Sequence, residues 1–429
     1  MGMRRILSIS EQMFVVGGML LMMNAVVPLV TTGGDASIID PESGDRVYQT
    51  LAAAVYFLSG LLILPRIGRV PTAIRRSAPV IMLAVLALLS VFWAQDPLIA
   101  FRRAAALLGS TTFAIYLAVR YDPPQLLRLT AWAMISAIAL SFAFALFVPE
   151  LAIHAGDKHE GMWRGVFQQK NLLARWMALA IAVFLAYRRY SRYPTVIWAW
   201  FGLAWLLIWL SQSMTGVIAG VIMIMMVPIV RLLRVNALVA AASMLALAIG
   251  AIIFAVLLIP HTDSALAAVG KDATLTGRTL LWHTVIERGM DHWLLGHGYR
   301  SFWLGLGSVA ESIWYAVGWS PATGHNSFID VFLELGIIGL GMFLYSLVVC
   351  ARRVVVRIRV DRDTLGLWYA SFVVFVLVFS VTHTVIPAQN NLIWVWYLIV
   401  FIHTFGWQIE NRAPSRYPSG IVLAERHSS

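Results

Sequence analysis

Apolar runs of about 18 to 25 residues recur along almost the whole of this 429-residue chain, each long enough to cross the hydrocarbon core of a bilayer as a helix. A segment in hydrocarbon must satisfy its backbone polar groups internally, so runs of this kind form helices. The pattern predicts about twelve spans, roughly 12–32, 48–65, 77–94, 100–119, 126–148, 171–187, 194–210, 215–230, 236–259, 326–349, 365–386 and 391–408. Hydrophobic residues make up 60% of the chain and charged residues 12%, and no soluble domain of ordinary size fits between the runs. The expected fold is all-α: a polytopic integral membrane protein forming one domain over 1–429. Met1 to Ser10, with Arg4 and Arg5, leads into the first span; no small-residue cleavage site follows that would make it a signal peptide.

A net charge of +11 would suit nucleic acid, but the arginines sit in short clusters between spans, which is a topology signal. Arg66 to Arg76, Arg188 to Arg192, Arg231/Arg234 and Arg352 to Arg362 fall on one side, together with both termini, and the positive-inside rule makes that side cytoplasmic. The basic residues left on the other side are Arg46, Arg102, Arg103, Lys158, Arg164, Lys170, Arg175, Lys271, Arg278, Arg288 and Arg300. Topology gains nothing from them, and charge near the bilayer core costs a few kcal/mol unless it is paired or functional. An anionic ligand on the outer face accounts for the set, although a residue such as Arg46 beside Asp45 also reads as simply solvated.

The long polar segment 260–325 lies on that outer side, and it ends in Thr323-Gly324-His325-Asn326 at the mouth of the next span. Gly277 to Met290 reads as a short amphipathic helix on the membrane surface, with Leu281, Trp282, Val285 and Ile286 on one face. Arg278 then falls in its first turn, where free N–H groups and the helix dipole favour phosphate. Trp293 to Trp303, with Gly296 and Gly298, reads as a turn back toward the bilayer. Trp303, Trp314, Tyr315 and Trp319 suit stacking on sugar rings or an interfacial aromatic belt. Beyond His325, the spacing of Asn326, Asp330 and Glu334 puts all three on one helix face. The two carboxylates are expected to pair with an arginine such as Arg102, Arg103 or Arg175, and Gly336, Gly339 and Gly341 to allow close helix packing. His325 itself reads as a general base kept neutral by the positive end of the helix, or as a helix cap.

No HExxH or paired-histidine spacing is present, and a single cysteine, Cys350, excludes an intramolecular disulfide and a cysteine-based metal site. No metal and no cofactor is expected. Asp361/Asp363, in an arginine-rich cytoplasmic turn, reads as charge-balanced surface.

These residues resemble the O-antigen ligase and Wzy-type polysaccharide polymerase superfamily, and within it the ExoQ-like exopolysaccharide polymerases. The resemblance is carried by His325-Asn326 followed by Gly336 and Gly339, and by Trp163-Arg164-Gly165-Val166-Phe167-Gln168-Gln169-Lys170-Asn171. Ser211-Gln212-Ser213-Met214-Thr215 and Gly277-Arg278 with Trp282 are similar too, except that Met214 stands where related members often carry an arginine. The resemblance implies a membrane-embedded, GT-C-like, inverting and metal-independent glycosyltransferase in the bacterial inner membrane, its active site facing the periplasm. It would move an undecaprenyl-pyrophosphate-linked glycan onto the next lipid-linked repeat unit, with His325 as base and Arg278 on the departing diphosphate. Arg102, Arg103, Arg164, Lys170, Arg300, Asn326 and Trp282 are the candidate substrate contacts, and Lys170, Arg164 or Arg103 the candidate second cation. Expected partners are the lipid-linked oligosaccharide, membrane lipids, and a chain-length regulator and flippase of the same pathway; nucleic acid is not one. The competing expectations are an O-antigen ligase acting on lipid A-core and a flippase or transporter.

Overall fold

The computed structural model describes residues 2–25, 46–155, 159–235, 242, 276–305, 307–360 and 364–405. Among these the chain is helical, apart from loops and one isolated antiparallel bridge between Ile153 and Trp163. The helices are α1 (Gly2–Met22), α2 (Arg46–Ile63), α3 (Val70–Arg76), α4 (Ala78–Leu89), α5 (Pro97–Arg120), α6 (Pro123–Phe147), α7 (Pro149–Ala152) and α8 (Lys170–Tyr187). There follow α9 (Pro194–Ser211), α10 (Met214–Val235), α11 (Thr276–Gly289), α12 (Val309–Val317), α13 (Ser327–Val360), α14 (Leu365–Thr382) and α15 (Leu392–Phe405). Several start on proline, whose missing N–H would be unpaired at a first helical position anyway. Asp96 caps α5 by accepting from the Ile99 N–H at 2.9 Å.

Eight described helical segments are long and apolar enough to cross a membrane, and three shorter apolar helices, Leu7–Met22, Ala78–Phe92 and Leu392–Phe405, coincide with three further predicted spans. The protein is a multi-pass helical membrane protein. The predicted span 236–259 lies outside the described residues apart from 242, as do Lys158, Lys271 and the Asp361/Asp363 pair.

Burial sorts the helices. From Leu173 to Tyr187 every residue of α8 is buried, because α6, α9, α10 and α14 surround it; a helix apolar all round needs such a place. The outer helices keep Phe57, Trp209 and Val348 exposed, as lipid-facing surfaces do. A second, smaller core joins Leu281 and Val285 of α11, Ala310 and Ile313 of α12, Phe302, Trp303 and Leu333. Helix α11 is thus one wall of a cap over the end of α13, and Ile286, expected on its buried face, is exposed.

Two stretches read as continuous spans are interrupted. At Gly336 the backbone of α13 turns to φ 65° and ψ −167°, a conformation open essentially to glycine alone. In an unbroken helix Ile337 and Ile338 would donate to Leu333 and Glu334. Instead Ile337 N–H donates to the Trp293 carbonyl at 2.8 Å and Ile338 N–H to Leu294 at 3.5 Å, while the freed Leu333 and Glu334 carbonyls accept from His297 at 2.8 Å and Gly298 at 2.9 Å. The loop 293–298 is therefore hydrogen-bonded into the break in α13, which is how irregular backbone becomes tolerable at membrane depth. This corrects the helix-packing reading of Gly336: its added Cβ would lie 2.2 Å from the Leu294 carbonyl oxygen, a loop and not a helix, and at Gly341 nothing lies within 4 Å.

The second interruption ends α14 at Thr382, short of the predicted boundary at 386, and leaves 383–391 non-helical. Asn390 sits beside the middle of α5, where its N–H donates to Ser110 Oγ at 2.9 Å and its side-chain carbonyl accepts from the Tyr56 hydroxyl. Two irregular loops, 293–303 and 383–391, thus enter the same end of the bundle as the His325 loop.

Candidate active site

His325 adopts the left-handed region, φ 50°, which histidine tolerates better than most side chains. Its neighbours fix it there. Gly324 N–H donates to Asp330 Oδ1 at 2.8 Å, and the Gly324 carbonyl accepts from Trp282 Nε1 at 2.9 Å. His325 N–H donates to Thr323 Oγ1 at 3.3 Å. The imidazole is half-buried, stacked at 5.9 Å and 19° on the exposed ring of Trp319. Capping of α13 falls to the next residue: Asn326 Oδ1 accepts from Phe328 N–H at 2.9 Å and Ile329 N–H at 3.3 Å. Those bonds assign the cap to Asn326 and leave the His325 ring out of the helix end.

Asp330 is buried, and its carboxylate gathers three loops. Besides Gly324 it accepts from Trp303 Nε1 at 3.0 Å and from the Thr384 hydroxyl. The Trp303 ring is therefore a core residue rather than a stacking platform; Trp314 donates its Nε1 to the Pro321 carbonyl at 3.0 Å, and Tyr315 and Trp319 are the exposed rings. Along the same face of α13, Glu334 pairs with Arg300, Oε1 to Nε at 3.9 Å. Arg103 donates to the Arg300 carbonyl, and Arg102 is exposed and donates to Gln49 at 3.3 Å. Burial works against the charge of Arg300, but Glu334, Tyr299 and Asp330 outweigh it and hold the guanidinium above its ordinary range. Tyr299 continues the network, its hydroxyl donating to Gln389 Oε1 at 2.8 Å. Next to it, burial pushes the His297 imidazole down to about 4, which keeps it neutral.

Arg278 is in the first turn of α11, one helical turn before Trp282, and its side chain lies outside the described part of the structure. The Trp282 bond to Gly324 consequently brings the turn carrying Arg278 to the loop carrying His325. Arg164 and Lys170 belong to a second group, around the start of α8. Arg164 donates to the Leu151 and Glu150 carbonyls, each at 3.1 Å, and so holds the end of α7; Lys170 Nζ lies 2.8 Å from Met162 Sδ. The two motifs flanking α8 do meet: Ser213 Oγ donates to Asn171 Oδ1 at 2.9 Å, and Trp163 N–H to the Leu210 carbonyl at 3.1 Å. Met214 is exposed, while Arg175, in the second turn of α8, is buried, its Nε without a hydrogen bond among the described residues and its guanidinium 5.4 Å from the neighbouring Trp176 ring.

Residues 199–344 match the family model described as O-antigen ligase. That match runs from α9 into α13 and takes in Arg278, Trp282, His325 and Gly336, but not Arg102, Arg103, Arg164 or Lys170. A stretch of 89 residues is 42% identical to the exopolysaccharide production protein ExoQ of Rhizobium meliloti (strain 1021), covering 20% of this chain and 20% of that protein. Sequence reasoning missed Thr384, Gln389 and Asn390. The signal available was the polar run His383 to Asn391, with Pro387, between two apolar runs.

Proposed function

We propose that the protein is a polysaccharide polymerase that transfers an undecaprenyl-pyrophosphate-linked glycan onto the next lipid-linked repeat unit at the periplasmic face of the inner membrane. The observation that carries the reading is the Trp282–Gly324 hydrogen bond, which joins the turn of Arg278 to the loop of His325 inside the region matched to the family. His325 takes the proton of the acceptor hydroxyl as its oxygen bonds to the anomeric carbon. On the opposite side the bond from that carbon to the diphosphate breaks, its electrons leaving with the lipid diphosphate, so the anomeric configuration inverts. Arg278 stabilises the charge that develops there, and a fixed cation in a water-poor site does this without a metal. The proton on His325 then passes to water. Asp330, Asn326 and Trp282 position the loop; Arg300 and Arg103, tied to Glu334 and to each other, shape the wall beside it.

The family description favours a second reading, an O-antigen ligase with lipid A-core as acceptor; the name of the relative supports polymer production. Purified protein in sealed proteoliposomes of known orientation, loaded with lipid-linked repeat unit and chelator, tests the class. Lengthened glycan without metal, nucleotide or ion gradient is the expected product. Translocation without lengthening would make the protein a flippase, and transfer only after addition of lipid A-core would make it a ligase.

A further inference from the structure

At the opposite end of the bundle from His325, the ends of α8, α10 and α14 surround a small, open cleft. Four guanidinium groups line it, those of Arg188, Arg189, Arg231 and Arg234, and among the described residues no carboxylate lines it. The positive-inside rule asks only that cations lie on this side; it does not ask that they converge on one space, where they repel one another. Burial, with Arg189 and Arg231 close by, accordingly pulls Arg188 below its ordinary range. Arg188 is held in place by its Nε donating to the Leu185 carbonyl at 3.2 Å and by the Trp198 ring at 5.0 Å. Below the cations the floor is apolar, formed by buried residues that include Leu185 and Val230. A cationic rim over an apolar wall at the end of membrane helices suits one kind of molecule, an anion that carries its own acyl chains.

We propose that this cleft binds the phosphate group of an anionic phospholipid from the cytoplasmic leaflet. The rim takes the phosphate and the helix sides below it take the start of the acyl chains, so the ends of α8, α10 and α14 are clamped together. The site is independent of the glycosyl-transfer reading. Asp361 and Asp363, which precede Thr364 in sequence, lie outside the described residues.

The test is retention of phosphatidylglycerol by the purified full-length protein in detergent, read by native mass spectrometry against phosphatidylcholine and against inorganic phosphate. Wild type should hold phosphatidylglycerol preferentially. The double variant Arg188→Gln/Arg231→Gln should lose about tenfold or more in affinity, Arg188→Lys/Arg231→Lys should keep most of it, and Arg352→Gln, at an exposed inner-face arginine away from the cleft, should match wild type. Equal losses in the Arg352 control would reduce the effect to general surface charge and overturn the proposal. So would displacement of the lipid by inorganic phosphate at equal concentration, which would mark a site for a soluble phosphate. A several-fold gain on Asp361→Asn/Asp363→Asn would mean that the protein's own carboxylates fill the cleft, which also refutes it. The lysine pair separates a lost contact from a lost fold, since it keeps the charge at the same positions.

Discussion

Replacing Gly336 by alanine attacks the break in α13 directly. At φ 65° and ψ −167° an L side chain is strained by about 1–3 kcal/mol. The new Cβ would also sit 2.2 Å from the Leu294 carbonyl oxygen and 2.5 Å from the Leu295 nitrogen, both backbone atoms. To restore ordinary contact the 293–298 loop must retreat by about 1 Å. That movement breaks the seam at 2.8, 2.8 and 2.9 Å that joins Trp293, His297 and Gly298 to the helix. Three net hydrogen bonds at about 0.5–1.5 kcal/mol each add roughly 2–4 kcal/mol. The total is on the order of 3–7 kcal/mol, a large share of the roughly 5–15 kcal/mol that holds an ordinary domain together. The assay is thermal unfolding of the purified protein in one detergent, with Gly341→Ala as control, since nothing lies within 4 Å of that position and its helix should only gain from alanine. A Gly336→Ala protein that unfolds at the same temperature as wild type and the control would refute the reasoning, because neither strain nor seam would then contribute.

His325→Ala should lower glycan transfer by about two to four orders of magnitude with an unchanged unfolding temperature; a normally active variant would relieve His325 of the base role. Arg278→Lys should impair donor use because an ammonium cannot reproduce the planar fork that grips two phosphate oxygens, and wild-type turnover by Arg278→Ala would move the phosphate site elsewhere, with buried Arg175 next in line. Asp330→Ala leaves the donors of Gly324, Trp303 and Thr384 unmatched, a cost on the order of 3 kcal/mol or more in stability. Asp330→Asn should cost much less, because its Oδ1 still accepts from Gly324 and Trp303 while the Thr384 hydroxyl turns to accept. Equal destabilisation of the two variants would mean that the charge of Asp330, and not its hydrogen bonds, holds the three loops.

Local composition carried much of this protein. Apolar runs of membrane length impose helices because hydrocarbon offers backbone groups no other partner, and clusters such as Arg188 to Arg192 mark one face because charge does not cross the bilayer cheaply. His325 and Gly336 were visible as a motif, since a lone imidazole at a span mouth is costly to keep without use. Their pairings were not visible. Which arginine meets Glu334 depends on a loop thirty residues away entering a break in a helix, and hydropathy averages over that break because Gly336 is as compatible with a span as with an interruption. The loop at 383–391 was hidden for the same reason: its polar groups bond to Tyr56, Ser110, Tyr299 and Ser327, partners brought from four distant parts of the chain. The spacing of Asp330 and Glu334 determined that they share a helix face and the cap at Asn326 is local, but only tertiary structure decided that Asp330 ties three loops and Glu334 holds Arg300. Each role depends on the donor that the folded chain places opposite the side chain, and that donor is never a neighbour in sequence except at the cap.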